Sequence, residues 1–475
     1  MKPRIVLIII SLLIINSSLL ISQNTWIQTY RPFQRQWWTD SYTVEDVIVT
    51  QDGGYVVSGG YELIGDAPWE YEKWGFLMKT DSDGNILWAV SDSVDFLVES
   101  ENSAFVETIE GDLISVSYQF AGGGCIIKRD SNGLREWEVP ITDFGVLSMS
   151  ITIDGNIIFG GRAESNAALR KITPDGETLW TNIIEMDSSI AFSVTQSNDG
   201  GYLLAGKKYD DDDEDDILVI KTDSNGDSLW TRTFDGLGGN DQGNCIIETS
   251  NGNIVVVGEI HQRAIYTIIV KIASNGNTIW SNIYPELAAC YSVLQSQDGN
   301  YVGYSWGGIS TNSTQLFKID NNQDFIWNNQ LELVLAKGDR SFAELENGYF
   351  ICSGRDDYRE RIYLIKTDEE GNYTSISNNY ISLSDFYMNC YPNPFNPSTI
   401  IEFSIQNNSE IELLIYNIKG QKIKILAKNE FSEGSHSIIW NGDDDSGNSV
   451  SSGIYFYRLN INGKTEAVRR CLLLK

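Results

Sequence analysis

A ten-residue phrase recurs along this chain and ties it to a fold assembled from repeated small units. It reads KTDSDGNILW from Lys79, KRDSNGLREW from Lys128, KITPDGETLW from Lys171, KTDSNGDSLW from Lys221, KIASNGNTIW from Lys271 and KIDNNQDFIW from Lys318. A seventh copy, KTDEEGNYTS from Lys366, keeps the turn but lacks the tryptophan. Successive tryptophans stand 49, 43, 50, 50 and 47 residues apart, a period that belongs to β-propellers and solenoids. A second phrase separates these two. DGGYVVSGG at Asp52, EGDLISVSY at Glu110, DGNIIFGGR at Asp154, DGGYLLAGK at Asp199, NGNIVVVGE at Asn251, DGNYVGYSW at Asp298 and NGYFICSGR at Asn347 each put a glycine turn before a strand. Every repeat therefore reads strand, turn, strand, loop, strand, turn, strand; in the first repeat the strands fall at 46–50, 55–59, 75–80 and 85–90. The strands are short and rich in Val, Ile and Tyr, with no helical period between them. Four antiparallel strands per unit make a propeller blade, so residues 24–374 predict an all-β, seven-bladed β-propeller.

The ends of the repeat array predict how it closes. The seventh repeat lacks its Trp strand, while an orphan strand at 25–30, TWIQTY, precedes the first repeat and resembles LWTRTF at 229–234. The N-terminal strand is expected to complete the last blade and remove an open sheet edge. Trp26, Trp88, Trp137, Trp180, Trp230, Trp280 and Trp327 then occupy equivalent places, each wedged against a neighbouring blade. The D-x-x-G-x-x-x-W pattern resembles the tryptophan-docking motif of bacterial quinoprotein propellers, with one residue fewer before the glycine. The likeness covers the repeat grammar and implies no quinone site here.

The repeats stop after Gly371, and a polar stretch at 375–389 reads as a linker. Three prolines follow within Tyr391-Pro392-Asn393-Pro394-Phe395-Asn396-Pro397, which fixes an extended segment poor in hydrogen bonds. Alternating strands come next at 399–405, 410–416, 421–426, 436–440, 453–460 and 466–474, enough for a small Ig-like β-sandwich over 390–475. YPNPFNPSTIIEFSI, IELLIYNIKGQKI, WNGDDDSGNSVSSGIYFYRL with Gly453 and Tyr455, and the final RRCLLLK ending at Lys475 resemble, in order, the C-terminal sorting domain of the type IX secretion system of Gram-negative bacteria. The stretch from Trp440 to Tyr455 also resembles the Ig-like fold of flagellar hook-capping proteins. The sorting resemblance implies export through the periplasm, recognition of the folded tail by the type IX machinery at the outer membrane, and release or attachment at the cell surface. Cys471 stands where that family carries an aliphatic residue or Met, a change expected to be harmless.

The N-terminus agrees with export. Lys2 and Arg4 precede an apolar stretch at 5–15, the layout of a cleavable signal peptide over 1–22. Asn16-Ser17-Ser18 interrupts any run long enough to span a bilayer, so no transmembrane anchor is expected after cleavage. Six cysteines lie far apart without a CxxC pair; disulfides are permitted outside the cytosol, but Cys245, Cys290 and Cys352 sit in apolar strand-like runs and read as buried thiols.

Composition narrows the chemistry. Lys and Arg total 34 against 65 Asp and Glu, a net charge of −31, which argues against nucleic-acid partners because little basic surface is left for phosphates. With 41% hydrophobic residues and 13 Trp, the acidity clothes a folded surface. Only His261 and His436 are available for imidazole chemistry. No catalytic set and no cofactor is marked. The acidic run 210–216 offers hard oxygen ligands, with Asp211, Asp213 and Asp215 as a weak Ca²⁺ candidate, although charge runs are ordinarily solvated loops. Five tryptophans of the propeller stretch fall outside the docking set: Trp37, Trp38, Trp69, Trp74 and Trp306. With Tyr61 and Tyr71 in the long insertion of the first blade, they are candidates for stacking on sugar rings or anchoring a protein. The expectation is a secreted, surface-associated propeller that binds a glycan or protein or acts as a scaffold. An extracellular enzyme acting on polysaccharide is the alternative.

Overall fold

The structure, a computed structural model, describes residues 25–30, 32, 39–64, 71–92, 104–119, 123–186, 188–209, 215–236, 238–261, 264–308, 311–331, 334–335, 341–355, 361–373, 388–391, 395–405, 408–432 and 434–474. The chain forms two compact units, one holding Arg35–Asn379 and the other Tyr380–Lys475. Among the described residues both are all β.

In the first unit, seven antiparallel sheets follow one another. Blades 1 to 6 are four-stranded meanders, the first built from Thr39–Val49, Tyr55–Ile64, Tyr71–Thr80 and Ile86–Asp92. In the seventh, Val334–Leu335 and Phe342–Glu344 both pair with Phe350–Arg355; Ile362–Lys366 follows, and Trp26–Tyr30 adds the outermost strand. The first strand of blade 1 packs on Phe350–Arg355 of blade 7, so the sheets close into a ring. This is a seven-bladed β-propeller.

Burial explains why the repeats read as they do. The second and third strands of each blade lie between two neighbouring sheets, so both faces are covered and the sequence is continuously apolar. Ile254–His261, IVVVGEIH, is buried at every position but the last. Outer strands cover a neighbour with one face only, hence the alternation in Phe325–Leu331. Innermost strands carry bulges between Val146 and Ser148, Ala191 and Ser193, and Gly243 and Cys245. Two of the serines after these bulges bridge blades: Ser148 Oγ accepts the Val194 N–H (3.1 Å) and Ser193 Oγ that of Ile246 (3.3 Å).

In most blades the lysine that opens the phrase has an electrostatic role within its own blade. Lys79, Lys171, Lys221 and Lys318 are buried, and their ammonium groups meet Asp52, Asp154, Asp199 and Asp298 of the first turn at 2.7, 2.7, 2.6 and 2.7 Å. Partial burial pushes the Asp52 carboxyl up, but hydrogen bonds from Lys79 and Thr50 outweigh it and hold the pKa at about 2. The same opposition leaves Asp154, Asp199 and Asp298 below the usual carboxylate range. A carboxylate with a depressed folded pKa adds stability above its unfolded value and loses it as pH falls toward the folded one. The propeller should therefore lose stability between about pH 4 and pH 2. Asp154→Asn should cost about 1–2 kcal/mol near neutral pH, discounted because the carboxylate is half in water, and should flatten that acid limb. Urea midpoints at neutral and acid pH test this.

The first blade departs from the sequence expectation. Its central hairpin extends to Ile64 and resumes at Tyr71, so Tyr61 and Tyr71 lie in strands and not in a loop. Tyr61 is buried, its ring 6.2 Å from Tyr42. Alternation at the expected strand ends was masked because the added residues mix Glu, Lys and aromatics.

In the second unit, Met388–Tyr391, Thr399–Ile405 and Gly434–Trp440 form one sheet. Lys422–Phe431, Ser409–Asn417, Gly453–Ile461 and Lys464–Leu473 form the other. Phe395, Ile401, Phe403, Leu413, Ile415, Trp440, Tyr457 and Leu459 fill a sandwich-like core. The strand Met388–Tyr391 starts inside the stretch read as linker; at four residues beside Pro392 it is too short to display alternation.

Candidate functional site

The two faces of the ring differ in kind. One carries the short glycine turns, and its polar groups are spent on structure. Six of the seven blade indoles sit over the turn glycine of the next blade: a Cβ on Gly84, Gly133, Gly176, Gly226, Gly276 or Gly371 would come within 2.8–3.1 Å of Trp26, Trp88, Trp137, Trp180, Trp230 or Trp327. Trp26 reaching Gly84 carries the series across the ring closure. The Trp88 indole N–H also donates to Ser131 O (3.0 Å) and that of Trp230 to Ser274 O (3.3 Å). After Trp280 the turn has Gln323, which itself holds a left-handed φ of 74°. The residue two beyond the tryptophan shares its face and reaches the same turn: Gln28 to Asp83 O, Arg232 to Gly276 O and Asn329 to Glu370 O. A further set of bonds runs from turn to neighbouring first strand. The N–H groups of Gln51, Ile153, Asn198, Ser250 and Gln297 donate to Glu107, Gln196, Glu248, Gln295 and Glu344. These cross-blade acceptors were missed in the sequence, although Glu or Gln stands immediately before the Thr or Ser, or the Leu of blade 7, that opens each of those turns.

The opposite face carries the connections between second and third strands. In blade 3 that connection is only Glu164-Ser165, between Ile157–Ala163 and Asn166–Ile172, while blades 2 and 4 on either side have longer ones. The short tip borders a cavity of about 620 Å³ between blades 2 and 3. Arg170 forms its polar wall. The guanidinium donates through both Nη atoms to Asp143 (3.0 and 2.8 Å) and through Nε to Thr181 Oγ1 (2.8 Å), and lies 5.0 Å from the centre of the Phe144 ring. The hydrogen bonds from Arg170 hold the Asp143 carboxyl below its usual range against a smaller effect of burial. Arg170 is buried, whereas the Asp143 side chain is 71% exposed and open to a ligand. Arg162 also lines the cavity, with its guanidinium 5.6 Å from the Tyr209 ring of blade 4.

Strain marks the same place. Glu164 and Ser165 have φ of 49° and 75°, a two-residue hairpin turn of the kind that normally takes Asn-Gly. The tip is anchored to blade 4, where Ser189 N–H donates to Ser165 O (3.0 Å). Ser165→Gly should relieve about 1 kcal/mol and raise the unfolding midpoint, read by thermal melting.

The aromatic candidates do not line this cavity. Trp37, Trp38 and Trp69 lie outside the described residues, and of Trp74 only its strand position opposite Tyr61 is described. Trp306 is half-buried in blade 6, opposite Ala289 and Thr314. Asp211 and Asp213 also fall outside the described residues; Asp215 is buried in an ion pair with Lys207. Arg170 was legible and overlooked. It stands directly before the phrase lysine, where the other six repeats have Met78, Ile127, Ile220, Val270, Phe317 and Ile365.

In the second unit, the two ends of the tail signature meet. Phe395 is buried and forms an isolated parallel bridge with Leu473; its N–H donates to Leu472 O and its carbonyl accepts from Leu474 N–H, both at 2.9 Å. Its ring lies 5.3 Å from Trp440, which lies 5.1 Å from Tyr455. The Tyr455 hydroxyl donates to Ser451 O (2.7 Å), and Gly453 has φ 154°. Pro392, Asn393, Pro394 and Lys475 lie outside the described residues, as does the Tyr391 side chain. Residues 389–473 match the family of secretion system C-terminal sorting domains. The tail carries a sorting domain. It directs export to the cell surface or the outside of a Bacteroidetes-type Gram-negative cell and implies contact with the type IX machinery. No helix among the described residues is long and apolar enough to cross a membrane.

Several solved structures are similar to the chain. Sqt1 of Chaetomium thermophilum is 13% identical, covering 79% of this chain and 95% of its own, with a TM-score of 0.46. The β-propeller domain of the Trilobed protease from Pyrococcus furiosus is 10% identical over 72% and 98%, TM-score 0.42. The BP39L lectin from Burkholderia pseudomallei is 8% identical over 64% and 98%, TM-score 0.41. No curated protein sequence matches the chain. The propeller assignment rests on the chain's own strand order.

Proposed function

We propose that this secreted propeller is a binding module and that its ligand, a glycan or a polar segment of a protein, seats between blades 2 and 3. The single supporting observation is the Arg170–Asp143 pair held over Phe144 in a cavity of ligand size. Two arginines face one Asp and one Glu around it, so the charges balance and suit a hydroxyl-rich, uncharged partner. Arg170 keeps Asp143 ionised, so this carboxylate works as an acceptor and not as an acid. In this reading the signal occupies 1–22, the propeller 24–374, the linker 375–389 and the sorting domain 390–475, with the propeller carried to the surface as cargo.

Arg170→Met tests the reading without threatening the fold, because Met78 already fills that position in blade 1. On a glycan array and a cell-surface protein panel, the natural chain should retain ligands that the variant binds at least about tenfold more weakly, some 1.4 kcal/mol. Equal binding by both would move the site elsewhere. Loss of the bound glycan on incubation would establish turnover and the polysaccharide-degrading alternative.

A further inference from the structure

We propose that Cys390 and Cys471 form a disulfide in the exported protein, joining the first and last strands of the sorting domain. Cys390 lies in Met388–Tyr391 and Cys471 in Lys464–Leu473, two strands that belong to different sheets and pack against each other. Both side chains are buried in one core, 5% and 1% exposed, and their thiols hydrogen-bond to one another. The backbone holds them in place independently. Cys390 pairs with Ile401 and Cys471 with Tyr455, while the Phe395–Leu473 bridge fixes the two segments a few residues further along. Bridging two sheets of a sandwich beside a buried tryptophan is a geometry such folds accommodate, and the buried Trp440 shares one core with both cysteines here.

The chemistry needs an oxidant, and the export route passes through a compartment where disulfides form. A disulfide-bearing thiol oxidoreductase is the class required. One thiolate of the pair, written here as Cys390, attacks the enzyme's disulfide, expelling one enzyme thiolate. Cys471, deprotonated by that thiolate, attacks the mixed-disulfide sulfur on Cys390. The Cys390–Cys471 bond forms, and the enzyme leaves as a dithiol carrying the two electrons. Burial in the finished core means the exchange occurs during folding. Cys245 and Cys290, both buried in the propeller, belong to another unit and take no part.

The full chain, exported to the periplasm of a Gram-negative host and alkylated in denaturant without reductant, decides the matter. After tryptic digestion the peptide 471–475 should be found joined to 367–419, two hydrogen atoms lighter than the sum of the free peptides, and reductant should release both. Recovery of Cys390 and Cys471 fully alkylated would overturn the proposal. A second readout compares the response to reductant and not the absolute stability of the variant. Reductant should lower the melting transition of the sorting domain in the natural chain and leave that of the Cys390→Ala/Cys471→Val chain unmoved. Equal responses in the two would overturn it as well.

Discussion

Alanine at Gly226 is expected to cost the propeller about 3 kcal/mol, a fall in midpoint on the order of 4 °C by calorimetry. Two effects add. The backbone there has φ +86°, which costs an L side chain about 1–2 kcal/mol. The new methyl carbon would also lie 2.8 Å from Trp180 Cζ3 and 3.0 Å from Cη2, so the indole must lift off the blade it covers. Gly200→Ala separates the two, since that position has φ +88° and nothing within 4 Å of the added carbon. The excess cost of the first variant over the second measures the docked indole. Equal costs would mean that the tryptophans do not hold neighbouring blades together.

Trp440→Ala is expected to abolish delivery while sparing the cargo. Trp440 is fully buried, in tilted contact with Phe395 and edge-on contact with Tyr455, and its indole N–H donates to Asp443 O (2.9 Å). Removing such a side chain costs about 3–5 kcal/mol, a large share of what a domain of this size holds. The sorting domain should unfold, the chain should accumulate in the periplasm as would one ending before Asn389, and the propeller transition should stay in place. Fractionation with immunoblotting, alongside calorimetry, measures both. Normal amounts of the variant outside the cell would show that the folded tail is not what the machinery reads.

The propeller was legible because its physics repeats. A left-handed glycine, a strand covered on both faces and an indole at fixed spacing recur in most blades, and each recurrence reinforces the rest. The cavity was not, because it depends on departures from the repeat: the apolar position taken by Arg170, and the two-residue tip at Glu164-Ser165. Periodicity arguments discard both. The buried Lys–Asp pairs lay between these extremes. Their residues recur at regular spacing, but nothing in one dimension says that the end of a third strand lies beside the turn after the first. In the tail, the meeting of Phe395 with Leu473 was equally hidden, since residues almost eighty positions apart become neighbours only when the sandwich closes.

The chain of turn-to-strand bonds described above is broken twice. Ile151 in blade 3 and Val49 in blade 1 stand where other blades place Glu or Gln, so the junctions of blade 2 with 3 and of blade 7 with 1 lack that acceptor. The annulus thus consists of a five-blade arc and a two-blade arc, each internally laced. At those two joints the indoles of Trp137 over Gly176 and Trp26 over Gly84 span the turns without that added bond, and the proposed ligand cavity straddles one of the joints.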